Sequence, residues 1–154
     1  MRPFLTLSTG LALAALIAVA NPSSARPAAH HPAGIVGTWI VKDSAAPFPF
    51  HIYVFNADGT MQQANPDAGD PRSSDSDGKG IWVVAGDRIN GKWVEITADR
   101  ASHKFTGRVE VAFSLKVDGD HYAGTGSVRV YDVDGKAVDG PFASTLSGTR
   151  VTLP

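Results

Sequence analysis

Between Ile35 and Val151 apolar and polar residues alternate in short runs separated by turn residues. A period of two is the mark of strands with one buried face. Eight runs can be drawn: Ile35–Val41, Phe50–Asn56, Thr60–Ala64, Gly80–Ala85, Lys92–Thr97, Gly107–Val117, His121–Tyr131 and Phe142–Val151. They are rich in Val, Ile, Thr and aromatic residues, which suit a pleated, half-buried surface. Asp58-Gly59, Asp77-Gly78, Asn90-Gly91, Asp118-Gly119 and Asp134-Gly135 punctuate them. Asx-Gly pairs favour the tight turns of hairpins. The pattern predicts an all-β fold: an eight-stranded antiparallel up-and-down barrel with no major helix in the mature domain.

The turns also propose a register. A two-residue turn at Asp118-Gly119 sets Leu115 opposite Tyr122, Phe113 opposite Gly124 and Val111 opposite Gly126. A symmetric loop about Ala101-Ser102 sets Val94 opposite Val109 and Glu95 opposite Arg108. The residues then sort onto two faces. One carries Ile81, Val83, Val94, Ile96, Val109, Val111, Phe113, Leu115, Tyr122, Val128 and Val130. The other carries Trp82, Trp93, Glu95, Thr97, Arg108, Glu110, Ser114, Thr125, Ser127, Arg129 and Tyr131. Burying the aliphatic face gains roughly 25 cal/mol per Å² and strands no charge, so that face is expected inside.

Composition adds context. Residues 1–20 hold one base, Arg2, an apolar run from Leu11, and the small-x-small pattern Ala18-Val19-Ala20. This reads as a signal peptide, and export to a periplasmic or extracellular space is expected. Residues 21–33 are rich in Pro, Ala, Ser and His and read as a disordered leader, with a second cleavage position after Ala25. The barrel domain is expected over 34–154. The chain has no cysteine and a net formal charge of −1, with its basic residues scattered. Thiol chemistry is excluded, and neither a nucleic-acid partner nor a membrane span after signal removal is expected.

Gly37-Thr38-Trp39 in a first strand, with Arg150 two residues after Gly148 in the last, resembles the lipocalins and the wider calycin group. The resemblance implies an eight-stranded meander barrel, often a container for small apolar molecules. It also implies that Arg150 stacks on Trp39 to close the base. The chain departs from many lipocalins in lacking a disulfide and any evident helix after the barrel.

Several side chains are candidates for function. With the aliphatic face inside, Phe113, Tyr122, Val111 and Tyr53 would contact a ligand, and Gly124 and Gly126 would leave room for it. Glu95 and Glu110 are the only glutamates, both mid-strand near Arg108 and Arg129. These four form either a polar cluster for acid–base work or a solvent-facing ladder. Trp82 and Trp93 share their face. If that face is outside, two exposed indoles suggest a self-association or partner surface. His51 and His121 stand at strand starts without metal-ligand spacing, and Asp75-Ser76-Asp77-Gly78 lacks the later Glu of a calcium loop. No metal or cofactor is expected. Residues 65–79 are polar and read as a lid-like or disordered loop. Three functions follow: a barrel binding a small, mostly apolar ligand; a cyclase, isomerase or lyase on the same barrel; or an interaction module.

Overall fold

The computed structural model describes residues 34–66 and 70–154. The expected signal peptide and leader lie outside the described residues. Nine strands follow in order: β1 (Gly37–Asp43), β2 (His51–Phe55), β3 (Thr60–Ala64), β4 (Ser73–Asp75), β5 (Gly78–Ala85), β6 (Arg88–Asp99), β7 (Phe105–Asp118), β8 (His121–Tyr131) and β9 (Ala137–Arg150). All pairings are antiparallel. β1 pairs with both β2 and β9, and β6 pairs with β7, so eight strands close into a barrel. The short β4 pairs with the end of β6 beyond β5 and prolongs that wall in line. Among the described residues there is no helix. The predicted eight-stranded all-β barrel is the fold observed.

Three of the five Asx-Gly pairs lie at hairpin turns, where Gly59, Gly119 and Gly135 have positive φ. The other two lie in or at strands. Between β5 and β6 the chain turns at Gly86-Asp87 instead, leaving Asn90-Gly91 inside β6. Gly91 is a seat: it pairs with Phe113, and a methyl group there would collide with the Phe113 ring. The glycine answers to packing, not to turning.

The β7–β8 register is offset by two residues from the expected one: Leu115 faces Gly124 and Val117 faces Tyr122. An even offset preserves parity, so Val109, Val111, Phe113, Leu115 and Tyr122 share a face as expected. The β6–β7 register differs by one. At the loop tip Ala98 pairs with Phe105, as a symmetric loop requires, but Thr97 pairs with Gly107. Thr106 is an extra residue, a β-bulge, and Gly107 beside it has φ of 148°. Beyond the bulge Glu95 faces Val109 and Trp93 faces Val111. The expected face of β5 and β6 is therefore reversed. Trp82, Trp93 and Glu95 are buried, while Ile81, Val83 and Ile96 stand exposed on the outer wall. An exposed indole surface is ruled out, since Trp82 and Trp93 are only 1% and 3% exposed.

The packed interior fills the base and middle of the barrel. Trp39, Phe55, Met61, Trp82, Ile89, Phe113, Leu115, Tyr122 and Leu146 form it, all buried. Each indole satisfies its N–H as it is buried. Trp39 donates to Ile35 O (2.8 Å), Trp82 to Asn56 O and Thr60 O (3.1 and 3.0 Å), and Trp93 to the Tyr53 hydroxyl (3.1 Å).

Arg150 closes the base. Its guanidinium lies 4.2 Å from the Trp39 ring centroid. It donates to Val36 O at 2.8 Å and to Gly34 O, and pairs with Asp120 at 2.9 Å. One planar fork thus caps the indole and ties the chain entering β1 to the end of β9.

Candidate functional site

The strands that start or end at the other rim surround a cavity of about 570 Å³. β6, β7, β8 and β9 supply an apolar side: Trp93, Val109, Val111, Val128, Val130 and Phe142. The segment after β1 adds Ala45, Ala46, Pro47 and Phe48. The polar side comes from Asp43, His51, Gln63, Asn65, Asp70, Ser73, Ser74, Asp75, Glu95 and Thr97.

The polar residues are ordered by one amide. Gln63 is 1% exposed. Its Oε1 accepts from the Gly78 backbone N–H at 3.0 Å, a group that can only donate. Its Nε2 must therefore be the atom facing Asn65 Oδ1 (2.5 Å) and His51 Nδ1 (3.0 Å). An amide N–H against Nδ1 requires that Nδ1 be the acceptor, so His51 carries its proton on Nε2. His51 Nε2 is buried with no hydrogen-bond partner. Burial lowers the His51 pKa, and nearby Asp43 opposes the shift only in part. The ring packs on Phe48 at 4.8 Å.

Glu95 differs from the other cavity carboxylates. It is 9% exposed. Asp43 Oδ1 accepts from Ala45 N, Asp70 Oδ1 from Arg72 N, and Asp75 Oδ2 from Asn65 Nδ2. Glu95 has no hydrogen-bond or ion-pair partner among the described residues. Burial raises its pKa from 4.5 to about 7, and the negative Asp75 adds to the effect.

The four residues expected as a polar cluster are divided by the wall. Glu95 lies inside. Glu110 lies outside, paired with Lys92 and, at 2.8 Å, with Arg108. Burial against the wall disfavours its charge, but these two cations outweigh that and hold its pKa low. Arg108 also lies 4.1 Å from the Tyr131 ring centroid, and Arg129 is exposed. The Glu95–Arg108 pairing is replaced by Glu95 opposite Val109, a consequence of the bulge.

Of the residues expected to contact a ligand, Val111 lines the cavity. Phe113, Tyr122 and Tyr53 belong to the packed middle below it. The space beside Gly124 is taken by Leu115, and that beside Gly126 by Ser144 and Leu146. Tyr53 touches the site indirectly through its bond to Trp93, and burial drives its pKa upward. Gln63, Asp43 and Phe142 were not singled out from sequence. Gln63 carried a legible signal, since it shares the parity of the inward Met61 on one strand.

Residues expected as a lid or disordered loop contribute a wall. Arg100 holds them, its Nε donating to Asp70 O (2.6 Å) and Ser73 O (2.8 Å). β4 then sets Asp75 opposite Thr97 at the rim. Residues 67–69 lie outside the described residues.

Comparison with protein-family models, with curated proteins and with solved structures finds no match to this chain.

Proposed function

We propose that this chain is an exported, lipocalin-like barrel that binds one small, largely apolar molecule at its open rim. One observation carries the reading: a cavity of about 570 Å³ stands open above an otherwise packed barrel. Small-molecule sites usually enclose roughly 300–1,000 Å³ with mainly apolar walls and a few placed polar groups. Here Trp93, Phe48, Phe142 and four valines supply the walls, and Gln63, His51 and Glu95 the polar groups. The Trp39–Arg150 closure supports kinship of architecture with lipocalins. The signal-peptide pattern of residues 1–20 supports export.

Titration with the fluorescent apolar probe N-phenyl-1-naphthylamine tests the reading. Saturable binding at one site per chain is expected, abolished when Val128→Trp fills the cavity while the melting transition persists. Absence of saturable binding, or binding unchanged in Val128→Trp, would overturn it.

A further inference from the structure

The polar half of the cavity has one sign of charge. Asp43, Asp70, Asp75 and Glu95 line it, and no lysine or arginine does among the described residues. Three of these carboxylates accept hydrogen bonds from their own surroundings. Glu95 accepts none, although it is more than nine-tenths buried. Its cross-strand neighbour on β7 is Val109, and Val109, Val111 and Trp93 all border the same space. A carboxylate in such a place requires a proton or a positive partner. The protein supplies no partner.

We propose that the bound molecule is an organic cation, a protonated amine carried on an apolar body, with its ammonium group on Glu95. This rests on the reading of the cavity as a ligand site. An anionic ligand would meet an acidic wall on which, among the described residues, Asp70 alone of the four carboxylates has a cation beside it, Arg72 at 4.0 Å. A neutral ligand would leave Glu95 to be neutralised by a proton alone. A bare metal ion is a poor occupant, because hard cations need several oxygen ligands and half of this wall is hydrocarbon. The described residues hold no group of three or more metal-ligating side chains suited to a metal ion. An amine with an apolar body uses both halves. Trp93 has given its N–H to Tyr53, so what it offers a cation or a hydrocarbon is its ring. The raised pKa of Glu95 fits a site whose counter-charge arrives with the ligand.

Calorimetric titration with three matched probes tests this: 4-phenylbutylamine, 4-phenylbutan-1-ol and 4-phenylbutanoate, at about pH 8 where both amine and Glu95 are charged. The amine is expected to bind at least about tenfold tighter than the alcohol, and the carboxylate most weakly. Glu95→Gln is expected to remove the amine's advantage while leaving the alcohol's affinity within about twofold. Asp75→Asn, at the rim, is expected to weaken the amine only a few-fold. If the alcohol binds wild type as tightly as the amine, or Glu95→Gln keeps the preference, the cation assignment is wrong and the cavity reading stands. If none of the three probes binds and N-phenyl-1-naphthylamine also fails, the cavity reading itself is wrong.

Discussion

Glu95→Gln offers a quantitative test of the site without any ligand. The carboxyl of Glu95 ionises near pH 4.5 when the chain is unfolded and near pH 7 when it is folded. The folded state therefore holds its proton more tightly. Any stabilisation tied to that proton is fully present below about pH 4.5 and is lost as pH rises through about 7. At one factor of ten per pH unit, the full loss is at most about 3 kcal/mol. Water in the cavity and the partial exposure of the carboxyl reduce it, so about 1–3 kcal/mol is the working range. Glutamine keeps the shape and has no charge to bury. The variant is thus expected to match wild type near pH 4.5 and to exceed it by about 1–3 kcal/mol near pH 8. Groups that do not interact with Glu95 contribute alike in both proteins and cancel in the difference. Urea unfolding followed by tryptophan fluorescence at a series of pH values measures that difference directly. A difference that is flat with pH, or that favours wild type at high pH, would refute the placement of an unpaired Glu95 carboxyl in the barrel.

Three further outcomes are expected. Arg150→Met removes the cation from the Trp39 face and leaves the Gly34 and Val36 carbonyls without their donor, so it should cost about 2–3 kcal/mol in denaturant titration; a cost below about 0.5 kcal/mol would show that the base closes without it. Gly91→Ala puts a methyl group into the Phe113 ring and should destabilise by about 1–3 kcal/mol, whereas the same change at a strand-turn glycine free of such contact would act only through φ. Nitrogen NMR should find His51 neutral with its proton on Nε2, and still neutral somewhat below pH 6.5, because burial lowers its pKa; stability tied to the neutral ring is then present above about 6.5 and lost as pH falls. A charged ring at pH 6.5 would contradict the Gln63 hydrogen-bond order.

The barrel itself was legible because its signals are local. Alternation within each run and glycine at positive-φ turns declare strands and hairpins without long-range information. The Trp39–Arg150 closure was legible through resemblance, as two residues at opposite ends of the chain. The lumen was not, and the reason is specific. Thr106 adds one residue to β7, and nothing in Phe105-Thr106-Gly107 distinguishes a bulge from a continuous strand until Tyr131 crowds Gly107 from the neighbouring strand. That single residue sends Glu95 in and leaves Glu110 and Arg108 out. Asn90-Gly91 misled in the same way, since a glycine chosen to seat an aromatic ring looks in sequence like one chosen to turn. Gln63 escaped because an isolated buried amide has no spacing motif, although its parity with Met61 placed it inward.

The bulge at Thr106 also has a consequence for how such a protein could change. Point substitutions alter the lumen one side chain at a time. If Thr106 were instead taken into the ladder, pairing with Thr97, Glu95 would meet Arg108 and Val94 would meet Val109, turning Ile96 inward in place of Glu95 and Thr97. Whether one residue is bulged out or paired therefore decides whether β6 presents Glu95 or Ile96 to the lumen. In a fold with period-two walls, a one-residue shift of register is the coarse adjustment of ligand chemistry, and substitution the fine one.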